Sequence, residues 1–101
     1  MKLIEIEPYF WELYQDESAM YLRIAIHNSF VTWDKSIYLD EDAINHYFKE
    51  GKLSVDALAK RIESSIIRKD YDLFYSYQIV NKEQKQRMDG AFMAWKNTNQ
   101  A

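Results

Sequence analysis

Residues 55–69, VDALAKRIESSIIRK (Val55–Lys69), decide the fold. At about 100° per residue, Val55, Leu58, Ala59, Ile62 and Ile66 fall in one stripe roughly 100° wide, the pattern of a helix laid on a core. Ser54 is the expected N-cap, because a hydroxyl there accepts from the free N–H groups of the first turn. Leu53 before that cap and Leu58 after it form the pair expected of a hydrophobic staple. Asp56 in the first turn and Arg68 and Lys69 in the last suit the helix dipole. Two features lie off the stripe. Ile67 points to the polar side, and Arg61 and Arg68 share a ridge with only Ala57 and Ser64 beside them. Arg61, Ile67 and Arg68 are therefore candidate partner contacts.

The strand that such a helix needs precedes it. Met20, Leu22, Ile24 and Ile26 alternate with Tyr21, Arg23, Ala25 and His27, a period of two that puts the aliphatic set on one face. Upstream, Leu3–Tyr14 also reads as extended, with Pro8 requiring an edge strand or two short strands split by a bulge. Residues 15–19 (QDESA) fit a hairpin loop, and Asn28-Ser29 fits a tight turn with Asn in the left-handed position. Phe30–Trp33 and Ile37–Leu39 read as a strand interrupted at Asp34-Lys35-Ser36. The first 39 residues thus form an antiparallel meander.

Downstream, Asp40 caps a helix whose first turn holds Glu41 and Asp42. Ala43, Ile44, Tyr47 and Phe48 make its apolar side, and Gly51 ends it. Asp70–Val80 (DYDLFYSYQIV) alternates and is rich in aromatics, which favours a strand. Asn81 to Gln84 resembles a capping box for a last helix, with Gln84, Met88, Ala91, Phe92 and Trp95 on one side. The predicted architecture is α+β: a mainly antiparallel sheet in β-β-β-α-α-β-α order, with helices covering one face. Residues 1–96 make a single domain and 97–101 a frayed tail.

Composition narrows the function. The chain has no cysteine, which excludes disulfides, thiolate catalysis and Cys-based metal sites. No apolar run approaches the ~18 residues of a membrane span. The acidic N-terminal stretch MKLIEIEPYF lacks the apolar core of a signal peptide. The expectation is a soluble, cytoplasmic protein without a cofactor. Charge is uneven: residues 1–50 carry four bases and ten acids (4 − 10 = −6), and residues 51–101 nine bases and six acids (9 − 6 = +3). Such a dipolar chain steers partners of matching charge.

No pattern qualifies as catalytic. Asp42, His46 and Glu50 recur at i, i+4 and i+8 on one helix ridge, but one histidine and two acids on a solvated ridge do not make a metal site. Glu5 and Glu7 share a strand face without the apolar surroundings that tune a general acid. No nucleophile motif or Gly-rich phosphate loop is present. Nucleic acid is disfavoured, because the bases are interleaved with acids in a net-acidic chain. What remains is surface. Tyr9, Trp11, Tyr21, Tyr75 and Tyr77 are the aromatics expected on an open sheet face, and aromatic residues and Arg are enriched where proteins meet.

The reading is a small acidic, non-enzymatic protein-binding module, with Glu5, Glu7 and Glu12 as its charged contacts. One version is an immunity- or inhibitor-type protein that neutralises a basic partner. The alternatives are a small-molecule or enzymatic domain with an aromatic pocket, and a structural homodimer.

Overall fold

A computed structural model describes residues 1–99. Its frame is a four-stranded antiparallel sheet in spatial order β1-β2-β3-β4: β1 Lys2–Glu7, β2 Trp11–Gln15, β3 Met20–Asn28 and β4 Val31–Tyr38. The extended Leu3–Tyr14 segment resolves into two strands. Pro8 cannot donate to a ladder, and the chain reverses there, with the Phe10 N–H closing on the Glu7 carbonyl at 3.0 Å. Tyr9 takes a positive φ of 67° in this turn. A register irregularity between Leu3 and Glu5 marks a bulge in β1. In the β3–β4 turn the left-handed residue is Ser29 rather than Asn28. Asn28 pairs with Val31, which leaves Ser29 and Phe30 as the two loop residues. β4 runs unbroken through Asp34-Lys35-Ser36, because each of those residues pairs with β3.

Helices α1 (Glu41–Glu50) and α2 (Lys52–Arg68) follow. Asp40 caps α1 as expected, its carboxylate accepting from the Ala43 N–H at 2.8 Å. Ser54 does not cap α2. The helix starts earlier, from Gly51, whose φ of 70° and ψ of −149° suit a residue without Cβ. The Ser54 hydroxyl instead donates to the Gly51 carbonyl. Leu53 is consequently left outside, and no staple with Leu58 forms.

Val55, Leu58, Ala59 and Ile62 of α2 bury against Leu22, Ile24 and Ile26, joined by Trp11, Leu13 and Ile37, in the main core. Lys69 then turns left-handed and ends α2. Residues 70–80 are not a full strand. Tyr71–Phe74 form one helical turn, α3, and the chain extends only afterwards, bridging to β4 through Ile79 and Ile37. The capped end of α2 launches this turn: the Asp70 N–H donates to the Ser65 carbonyl, and the Ser65 hydroxyl to the Asp70 carboxylate.

The last helix, α4 (Lys82–Asn99), adds cover on the second face of the sheet. Asn81 caps it, accepting from the Gln84 N–H at 2.8 Å. Met88 and Ala91 pack there with Tyr14 and Tyr21, in a smaller cluster bordered by Leu3 and Phe92. Helices thus lie on both faces rather than one. Asn97, Thr98 and Asn99, expected to fray, belong to α4; residues 100 and 101 lie outside the described residues. Among the described residues, no helix is long and apolar enough to cross a membrane.

Candidate functional site

Burial, on the first face for Trp11 and on the second for Tyr21, changes the assignment of two candidates. Trp11 and Tyr21 are each 1% exposed, so neither belongs to an open sheet face. The Trp11 indole N–H donates to Asp56 of α2 at 3.2 Å, and the Tyr21 hydroxyl donates to Asp16 at 2.7 Å. Buried Trp and Tyr need such partners for their polar ends. Burial works to raise the Asp16 carboxyl. The Tyr21 hydroxyl, the Ser18 and Ala19 N–H groups and Arg87 outweigh it and hold Asp16 below the usual carboxylate range. Burial, reinforced by Asp16, pushes the Tyr21 hydroxyl well up.

Tyr75 and Tyr77 do not lie on an open sheet face either. They continue from Tyr71 in a stacked row, with ring centroids 5.3 and 6.2 Å apart, and both pack half-buried against the main core. The Lys35 ammonium caps the row, 4.4 Å from the Tyr71 ring centroid. Tyr9, by contrast, is fully out in solvent, at 95% exposure.

The three predicted acids are engaged inside the chain. Glu12 accepts from Arg23 at 3.1 Å and from the Tyr14 hydroxyl at 2.6 Å. Glu7 pairs with Lys52 at 2.9 Å, and Glu5 faces the Tyr47 hydroxyl at 3.4 Å. Arg68 is likewise paired, with Asp70 at 2.9 Å. Arg61 makes no ion pair among the described residues and stays exposed, and Ile67 is partly exposed.

Free negative charge sits elsewhere, on α1. Residues 40–50 carry Asp40, Glu41, Asp42 and Glu50 against Lys49 (1 − 4 = −3), which equals the net charge of the whole chain. None of the ten residues of α1 is buried. The helix rests on its neighbours through Ala43, Ile44 and Tyr47, each only partly covered. Among the described residues, no Lys or Arg lies within 4.0 Å of Glu41, Asp42 or Glu50; Asp42 meets only His46, at 3.6 Å. Phe48, expected in the core, is 69% exposed, and Leu53 just beyond Gly51 is 79% exposed. The exposed Phe48 and Leu53 thus belong to the same helix-and-turn segment but lie away from the Asp42–His46–Glu50 ridge, Phe48 on the opposite flank of α1 and Leu53 beside Lys52 and Lys60.

Behind that ridge, α1 and α2 enclose a shallow groove of about 230 Å³. Asp42, His46 and Glu50 line one wall, Arg61 and Tyr77 the other, and Leu39, Val55 and Leu58 contribute apolar surface. The topology thus joins the α1 ridge to two residues picked out separately in the sequence. Burial raises the Tyr77 hydroxyl; Asp40 adds to that, and Arg61 opposes it. Among the described residues, no three His, Asp or Glu side chains converge as a metal site would require. The groove has charged groups of both signs at its rim.

Comparison of the chain with protein-family models, with curated proteins and with solved structures gives no significant match.

Proposed function

We propose that this chain is a small acidic protein-binding module, without catalysis of its own, that engages a basic partner through α1 and the start of α2. The supporting observation is the α1 ridge. The chain's entire net charge is matched on one helix with no buried residue. Carboxylates free of internal pairing steer a cationic partner and are available to pair with it. Exposed Phe48 and Leu53 on the same segment offer the apolar anchors that charge alone lacks. The inhibitor-type form of this reading has the carboxylates oppose Lys and Arg that a nucleic-acid-handling partner would otherwise place on phosphates. We place the protein in the cytoplasm, which suits a cysteine-free chain.

The test is a charge reversal, Glu41→Lys with Asp42→Lys and Glu50→Lys, set against Glu5→Gln with Glu7→Gln. The tagged chain is first used to isolate a stoichiometric partner from its native host, and affinity is then measured by calorimetry at low and high salt. The reading expects a basic partner, at least a ~10-fold loss for the α1 triple variant, a loss with salt, and little change for the β1 pair. An α1 triple variant that binds like the parent, or a stoichiometric partner that is not basic, removes this proposal.

A further inference from the structure

The two edges of the sheet are treated differently. β1 is protected in the ways that discourage pairing with another chain: a bulge near Ile4, Pro8 at its end, and Lys2, Glu5 and Glu7 along it. The β4 edge is covered only in part. The Tyr38 N–H donates to the Gln78 carbonyl at 2.9 Å, and the Val80 N–H donates to the Ser36 carbonyl at 3.0 Å. The chain then leaves at Asn81 to begin α4. From Lys35 back to Val31 the edge is open. Alternate residues of a strand present their N–H and C=O groups to the same side. Since Ser36 and Tyr38 face outward, Thr32 and Asp34 do too. Among the described residues, no group pairs with their outward N–H and C=O. Val31 and Trp33 are exposed, Trp33 at 40%.

We propose that this open stretch of β4 pairs antiparallel with the same stretch of a second copy, about a two-fold axis through Trp33. The occupant follows from register. Centred on Trp33, Thr32 of each copy faces Asp34 of the other, and all four residues have their N–H and C=O groups aimed across the gap. Trp33 then faces its own counterpart in a non-hydrogen-bonded pair, the site where cross-strand side chains approach closest and where aromatic pairs are favoured. Asp34 meets a threonine and Lys35 meets Val31, so no like charges oppose. Sliding the pairing by one step of the two-fold register sets Asp34 against Asp34, which like-charge repulsion disfavours. The open window, Val31–Lys35, is centred on Trp33, so the symmetric register uses all of it. An unrelated peptide would have no reason to match that centre. The dimer leaves the α1 ridge free on both copies and does not depend on the proposal for that ridge.

The experiment is sedimentation velocity of the full chain at low and high concentration, with backbone amide exchange read at Thr32 and Asp34. Parent protein is expected to shift from monomer toward dimer, and those two amides to gain protection as it does. Asp34→Pro removes one outward donor, and Trp33→Lys sets two ammonium groups across the axis. Each should lower the association constant at least ~10-fold, with far-ultraviolet circular dichroism unchanged. A parent that stays monomeric overturns the proposal. So does a dimer in which Thr32 and Asp34 exchange freely, or one that persists in both folded variants. Should either variant fail to fold, the parent's amide exchange still decides.

Discussion

The two faces of the sheet are built from the same strands and held by different physics. Toward α2, the buried residues are Leu13, Leu22, Ile24, Ile26 and Ile37, with Trp11. Toward α4, alternate positions of those strands bring Tyr14, Tyr21 and Arg23, and the packing of Met88 and Ala91 there is joined by a hydrogen-bond and ion-pair network. Arg23 spans Glu12 at 3.1 Å, the Tyr14 hydroxyl at 2.8 Å and Asp89 of α4 at 2.6 Å. Arg87 of α4 reaches Asp16 at 3.1 Å. Burial lowers the charge preference of Arg23, and Asp89, Tyr14 and Glu12 more than restore it. The first face is insensitive to pH and salt because apolar burial is. The second adds to its apolar contact a set of bonds that depend on ionisation.

The largest effect expected from this contrast is on the apolar face. Leu22→Ala should cost about 2–5 kcal/mol in denaturant unfolding, because a fully buried aliphatic leaves both lost transfer energy and a cavity. A loss below about 1 kcal/mol would mean that the α2 face is not the main core. Arg23→Met should cost less, about 1–3 kcal/mol, by stranding Glu12 and Tyr14. Its signature is local: amide exchange should rise along α4 and stay unchanged in α2. Equal loosening of both helices would dissolve the distinction between the faces.

A pH titration sharpens the same point. Asp16 is depressed in the folded protein, so its contribution is complete above the unfolded carboxylate value near ~4 and fades as pH falls through the lower folded value. Tyr14 and Tyr21 are raised, so theirs is complete below the unfolded phenol value near ~10 and is lost as pH climbs beyond it. The near-ultraviolet tyrosine signal should change at both extremes, and Asp16→Asn should flatten the acid limb and also bring the alkaline change to lower pH, because Asp16 helps hold the Tyr21 hydroxyl up. Smallest is Trp11→Phe, expected to cost about 0.5–1.5 kcal/mol by removing the indole bond to Asp56. Because that bond joins β2 to α2, its loss should leave α4 exchange untouched.

Much of this was legible in the chain. The β3 alternation and the α2 stripe name each other's contact residues, since each repeats the period of its own backbone. Asp40 and Asn81 were readable as caps because a cap is a local bond. Tyr21 and Trp11 were misplaced for a nonlocal reason. Parity tells which residues share a face but not whether a distant helix will cover it: α2 covers Trp11 on the first face, and α4 returns to bury Tyr21 on the second. Residues 70–80 fit two local patterns. The choice fell to Ser65, which holds Asp70 and starts α3, and to β4, which captures Gln78 to Val80. The acids of α1 were visible as helix-starting charge and as a solvated ridge. Their standing as candidate contacts emerged when Lys52, Arg23 and the Tyr47 hydroxyl turned out to be occupied by Glu7, Glu12 and Glu5.

By itself, then, the sequence determined the α+β class, the strand that meets α2 and most helix ends. Those depend on side-chain periodicity and on bonds within a few residues. Only the tertiary structure decided which charges are neutralised, which aromatics are buried and which edge stays open. Each of those is a competition among groups far apart in the chain, and it is settled only when packing brings them within a few ångströms.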